Sequence, residues 1–176
     1  ISEMLGEGYL VLSLREVGVT EEIPETADTL EGNALLKARY LYERLGKAVF
    51  AEDTGLEIDA LSGQPGVYTA RYAGPEKDPE ANMALVLDQL EGKEDRGAQF
   101  RTVLAYIDDE GREYTFEGIC RGRIATAKSG EQGFGYDPIF QPEGYERTFA
   151  EMSSDEKNRI SHRGLALRKF VAFISS

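Results

Sequence analysis

Apolar residues fall along this chain in short runs broken by Gly, Pro, Asp and Ser, and the runs have two characters. Residues 9–14 (Tyr-Leu-Val-Leu-Ser-Leu) read as a strand, and 48–52 (Ala-Val-Phe-Ala-Glu) as a short, nearly buried one. A further strand over 56–61 leads into the turn Ser62-Gly63-Gln64-Pro65-Gly66. Residues 98–107 form a long strand that turns through Asp108–Gly111 and returns over 112–120 as a hairpin. Helical signals separate these runs. The segment 28–45 has Asp28 as N-cap, Glu31 at the capping-box position and Gly46 as its stop. Asp78-Pro79 opens a second helix that carries Met83, Leu85, Val86, Leu87 and Leu90 and stops at Gly92. A last helix starts near Ser161 and carries Leu165, Leu167, Phe170, Val171 and Ile174. Strands and helices mixed in this way predict an α/β fold with a mixed sheet, because the hairpin imposes antiparallel pairing.

Composition narrows the picture. The 176 residues suit one domain, or one domain with two lobes, and 41% hydrophobic residues supply a core. No apolar run reaches the length of a membrane span, and no basic stretch followed by an apolar one marks a signal peptide. The single cysteine, Cys120, has no partner for an internal disulfide, which fits a reducing cytoplasm; in its strand it reads as a small buried hydrophobe. A net charge of -12 argues against a nucleic-acid binder, which needs a basic face. It leaves room for a small anionic substrate if a divalent cation bridges carboxylates to phosphate oxygens.

Four stretches carry candidate chemistry. Asn33 and Lys37, four apart, share a helix face and can point an amide and an ammonium at one ligand; a solvated helix surface fits the spacing as well. Ala51-Glu52-Asp53-Thr54-Gly55-Leu56 sets two carboxylates at the end of a buried strand, either as a ligand site or as a strand-to-turn connection. Gly130-Glu131-Gln132-Gly133-Phe134-Gly135-Tyr136-Asp137-Pro138 puts an aromatic between glycines, where backbone can approach a flat ligand and a ring can stack on a base; the competing reading is a flexible turn whose aromatics pack inward. Ser153 to Gly164 gathers Lys157, His162 and Arg163, the only histidine included, as a local anion site or a polar helix entry.

Taken together and in this order, these strings resemble the Ham1-like nucleoside-triphosphate pyrophosphatases, also called inosine triphosphatase or XTP/dITP diphosphatase. The resemblance runs through Glu25-Thr26, Asn33-Ala34, Lys37-Ala38-Arg39, Ala51 to Leu56 and Pro65 to Tyr72. It continues through Gly133 to Phe140, Thr148-Phe149-Ala150-Glu151, and Lys157 to Arg163, and so covers essentially the whole chain. It implies a single domain: an elongated mixed sheet flanked by helices, with two lobes around a central cleft, usually paired as a homodimer in the cytoplasm. The implied reaction is Mg2+-dependent (Mn2+ is an alternative) hydrolysis of ITP, dITP and XTP to the monophosphate and pyrophosphate, with no nucleic-acid or membrane partner. Asp53 would be metal-linked general base, with Glu25 and Glu52 as further metal carboxylates. Asn33, Lys37 and Thr54 would meet the substrate. Phe134 would stack on the base, and Gly135, Tyr136, Asp137, Lys157, His162 and Arg163 would complete the base pocket. Donors there would reward a 6-keto group and reject adenine's 6-amino group.

Where the family has two aspartates before Ser/Thr-Gly, this chain has Glu52 first and keeps Asp53. The family also opens on a strand and a Thr/Ser-x-x-Asn-x-x-Lys loop that grips the triphosphate. That motif has no match here, and Ile1–Leu5 read as the tail of the helix that follows it, so the chain is expected to start inside the protein. Two alternatives remain: a Maf-like pyrophosphatase with another base preference, which turnover of dTTP or UTP against ITP separates, and a non-catalytic nucleotide-binding protein.

Overall fold

The computed structural model describes residues 10–19, 23 and 25–176. The expected helix tail at Ile1–Leu5 and the first residue of the 9–14 strand lie outside them. Among the described residues the order is α1 (Leu30–Leu45), β1 (Val49–Ile58), α2 (Pro79–Gln89), β2 (Gly97–Ile107) and β3 (Glu113–Ile124). Then come β4 (Phe140–Pro142), α3 (Ser154–Ile160) and α4 (His162–Ile174), with four short 3-10 turns between elements. The four described strands form one sheet in the order β1-β2-β3-β4. Thr54 of β1 bonds Thr102 of β2, and Glu57 bonds Gln99, so partners run in opposite directions along the two strands. β4 is antiparallel to β3, with Gly122 opposite Pro142 and Ile124 opposite Phe140. The mixed α/β class is as expected.

Local signals place most element ends. Gly46 stops α1 at φ 64 and gives its N–H to the Tyr42 carbonyl. Asp78 caps α2 by accepting from the Glu80 N–H, with Pro79 at the first position. Three expectations change. Thr29, not Asp28, caps α1: its hydroxyl accepts from the Gly32 N–H at 2.9 Å. The two short strands around Asp53-Thr54-Gly55 are one ten-residue strand, because cross-strand pairing with β2 outweighs the turn chemistry of Asp and Gly. Residues 10–13 are not strand, and 14–18 form a turn. There Ser13 and Glu16 cap one another's N–H groups, and Leu10 is 84% exposed, since alternating residues become a strand only when paired.

The chain divides into two compact units. One takes the chain to Asp53, then Val103–Glu117 and Ala166–Ser176; the other takes Thr54–Thr102 and Gly118–Leu165. In the first, Leu30, Ala34, Ala38 and Leu41 of α1 are buried, as are Leu104 and Ala105 of β2 and Phe170 of α4. In the second, Leu56 and Ile58 of β1 pack in one core with Val86 of α2, Phe100 of β2, Ile124 of β3 and the buried Phe140 and Phe149. Cys120 belongs to that core, and burial raises its thiol pKa to about 11. Among the described residues no helix is long and apolar enough to cross a membrane.

Candidate active site

Site residues gather in two clusters, one in each unit. The first is built on α1 and β1. Helical spacing puts Asn33 and Lys37 on one face of α1. Asn33 is buried and its Oδ1 accepts from the Ala27 N–H at 2.9 Å, tying the approach to the helix against its first turns. The Lys37 Nζ donates to the backbone carbonyl of Glu52 at 2.6 Å and lies 3.4 Å from Glu25 Oε1 and 3.6 Å from Asp53 Oδ1. One ammonium thus collects the Glu25 and Asp53 carboxylates and the strand backbone between them.

Asp53 is the exceptional group here. Its Oδ2 is buried and accepts no hydrogen bond from the described residues. Its pKa is raised above the usual carboxylate range, first by burial; the Lys37 charge pulls down, Glu25 adds repulsion, and hydrogen bonding from Asn33 and Lys37 pulls down again. A carboxylate with one unsatisfied oxygen and an elevated proton affinity suits proton abstraction or cation binding. Thr54, next in the chain but in the other unit, shares a 2.8 Å bond with the Thr102 hydroxyl.

The second cluster is built on the glycine-rich turn, α3 and the start of α4. Phe134 is 73% exposed, which leaves ring surface free for a ligand. Asp137 is buried, and its Oδ2 accepts from the Phe134 N–H at 3.0 Å and from the Lys157 ammonium at 2.5 Å. The same ammonium lies 4.6 Å from the Phe134 ring centroid and 5.4 Å from that of Phe149. Lys157 is delivered by α3, which starts on a capping box formed by Ser153 and Glu156.

His162 opens α4. Its ring stacks on Phe100 at 4.7 Å and 17°, and lies 6.3 Å from Phe149. It is 8% exposed, and its Nδ1 has no hydrogen-bond partner among the described residues. Burial first, then the Lys157 and Arg163 charges, lower its pKa to about 3, so it is neutral at physiological pH. Arg163 is exposed, and the preceding Ser161 caps α4 through the Gly164 N–H.

The structure thus brings Glu25, Asn33, Lys37, Glu52 and Asp53 together in one unit, and Phe134, Asp137, Lys157 and His162 together in the other. Glu52 enters its cluster through its carbonyl. Gly135 shapes the turn at φ 59. Tyr136 is buried, with its hydroxyl 2.7 Å from the Thr69 carbonyl, so it anchors the turn to the 66–71 segment and has no open donor to offer. Three residues of the second unit carry no role in the sequence reading: Phe100, whose ring stacks on His162, Phe149, whose ring lies 5.4 Å from the Lys157 ammonium, and Thr69, which holds Tyr136 and the Leu56 N–H. Phe149 and Thr69 lie in strings of the family resemblance; Phe100 lies in none.

Comparison with known proteins identifies the family. The model of the Ham1 family matches residues 1–173. A dITP/XTP pyrophosphatase of Flavobacterium johnsoniae is 49% identical over 176 residues, which is 100% of this chain and 91% of that protein. One from Bacillus subtilis is 52% identical over 171 residues, 96% of this chain and 86% of its own length. The solved structure of the Staphylococcus aureus Ham1 protein matches at a TM-score of 0.93 and 40% identity, over 98% of this chain and 90% of that one.

Proposed function

Because this chain belongs to the Ham1 family, we propose that it hydrolyses the non-canonical purine triphosphates ITP, dITP and XTP to the monophosphate and pyrophosphate. The observation that carries the catalytic part is Asp53, a half-buried carboxylate with an unsatisfied oxygen and a raised pKa beside an ammonium. Asp53 accepts the proton of the water that attacks the α-phosphorus. Lys37 and Asn33 meet phosphate oxygens, and the Lys37 charge offsets the negative charge that builds on the departing pyrophosphate. The Thr54–Thr102 pair uses only one of its two hydroxyl protons internally, which leaves one to donate to substrate.

The acidic set fits a divalent cation that arrives with the substrate. Asp53 has an oxygen to give, and Glu25 reaches the same lysine, yet no three acidic, Cys or His groups among the described residues are arranged to hold an ion unaided. Mg2+ behaves in this way, taking one or two carboxylates and completing its shell with phosphates and water. Asp53 and Glu25 would hold it, with Glu52 alongside, and when bound it supplies charge neutralisation on the phosphate oxygens. Mn2+ would serve the same set.

The second cluster suits a purine base. The base stacks on Phe134, and Lys157 supplies a donor to the 6-keto oxygen that inosine and xanthine carry. Adenine presents a donor in that place and is refused, because two donors are left facing one another. Donors from His162, Arg163 and the start of α4 add to this, as does the frame of Gly135, Tyr136 and Asp137. The same reading makes the protein a homodimer of the cytoplasm, which light scattering and fractionation check. The decisive experiment is pyrophosphate release from ITP, GTP and ATP, with Mg2+ and with EDTA. Metal-dependent release from ITP well above the other two is expected; ITP bound without release would refute the enzymatic reading.

A further inference from the structure

Asp137 is placed differently from the groups that face a ligand. The residue is 3% exposed, and one oxygen, Oδ2, accepts from both the Phe134 backbone N–H and the Lys157 ammonium. Its space is reserved on the other side as well. Gly133 sits at φ 74, and a Cβ built there would run into the Asp137 carboxyl group. The backbone of the turn, the carboxylate and the α3 lysine therefore close into one unit around a single oxygen. Lys157 is consequently held over the face of Phe134 rather than extended into solvent.

We propose that Asp137 is a positioning residue: it does not read the base but sets the angle of the Phe134 ring and the place of the Lys157 ammonium, and Gly133 is glycine because that carboxylate needs the room. This rests on the reading above that Phe134 and Lys157 receive the purine. The chemistry requires a charged acceptor. A lysine left without its counter-charge in a half-buried site swings toward water, and a donor that swings no longer distinguishes keto from amino. An amide at the same position keeps an acceptor for the Phe134 N–H and loses only the hold on the lysine.

The test is a double-mutant cycle on the whole chain, read in steady-state kinetics with ITP and ATP. Asp137→Asn should raise KM for ITP by roughly tenfold, with kcat changed less than about threefold and ATP unaffected, so the preference for ITP falls by about the same factor. In a Lys157→Ala background the same substitution should add less than about twofold. Equal losses in both backgrounds would overturn the proposal, as would a loss shared by ITP and ATP, which is the mark of a merely structural role. Nitrogen-15 NMR supplies a readout that needs no substrate. The Lys157 ammonium and the Phe134 amide should both shift in Asp137→Asn; unchanged signals would overturn the clamp. A wild-type chain that processes no ITP refutes the proposed function instead, and the NMR arm then decides the clamp by itself.

Discussion

The two clusters each contain a lysine and an aspartate, and they use the pair in opposite ways. Lys157 and Asp137 are closed on one another: a single short contact at 2.5 Å, a backbone N–H on the same oxygen, and two aromatic rings under the ammonium. Lys37 and Asp53 are held apart at 3.6 Å. The lysine's close contact is a backbone carbonyl, its charge is shared with Glu25, and the aspartate keeps a buried oxygen unused. A closed pair is satisfied, and it builds shape. An open pair is unsatisfied at a cost in stability, and that unmet demand is what chemistry draws on. On the proposed function, the contrast gives Asp137 a geometric role and Asp53 a reactive one.

Substitution at Asp53 should separate the two most strongly. Asp53→Asn should lower pyrophosphate release from ITP by about a thousandfold, while the melting temperature holds or rises. The sign follows from the raised pKa. The folded chain favours the protonated group, so Asp53 supports the fold below its unfolded pKa and loses that support as pH rises through the folded one. At neutral pH an asparagine removes a buried charge. A marked drop in melting temperature would mean the pair is closed after all.

The lysines should differ in what they discriminate. Lys37→Ala should depress ITP and ATP turnover alike. Lys157→Ala should cost ITP about ten- to a hundredfold in kcat/KM and leave pyrophosphate inhibition unchanged. Matching profiles for the two variants would erase the division between phosphate and base clusters. Phe134→Ala should remove a stacking contribution of about 1–3 kcal/mol, seen in KM, with no change in melting temperature because the ring is largely in solvent.

A pH dependence of stability is the effect that touches the fold rather than turnover. His162 has a folded pKa of about 3 against an ordinary 6.5. As pH falls below 6.5 the unfolded chain takes up a proton that the folded chain refuses, so stability drops between 6.5 and 3, by at most about 1.4 kcal/mol per pH unit. It is the only histidine in the chain, but Asp53 with its raised pKa titrates above the ordinary carboxylates, so the difference in slope between the wild-type chain and His162→Phe from 6.5 to about 5 reports it. His162→Phe keeps the ring on Phe100 and should flatten that stretch of the melting curve; an unchanged slope would place the imidazole in contact with water.

The sequence alone was informative wherever one residue's chemistry acts on its neighbours. The stop at Gly46, the Asp78-Pro79 start, the hairpin turn at Asp108–Gly111 and the glycine-rich turn all follow from capping and backbone freedom within a few residues. The strings around Asn33-Lys37, Asp53, Phe134 and Lys157 also marked the chain's family. The tertiary structure decided the rest. Pairing with β2 drew Asp53 and Thr54 into a continuous strand where local turn chemistry pointed to a break. Tyr136 was assigned to the base pocket by its string, yet its hydroxyl is spent on Thr69, 67 residues earlier in the chain. Asp137 and Lys157 are 20 residues apart, and no spacing rule announces that they share an oxygen. Such contacts depend on which strands pair and which turns dock, and that choice is made by burial summed over a whole core. Short-range chemistry therefore marked the candidate residues, and only the packed chain determined which of them keep a polar atom unused and which are closed on a partner.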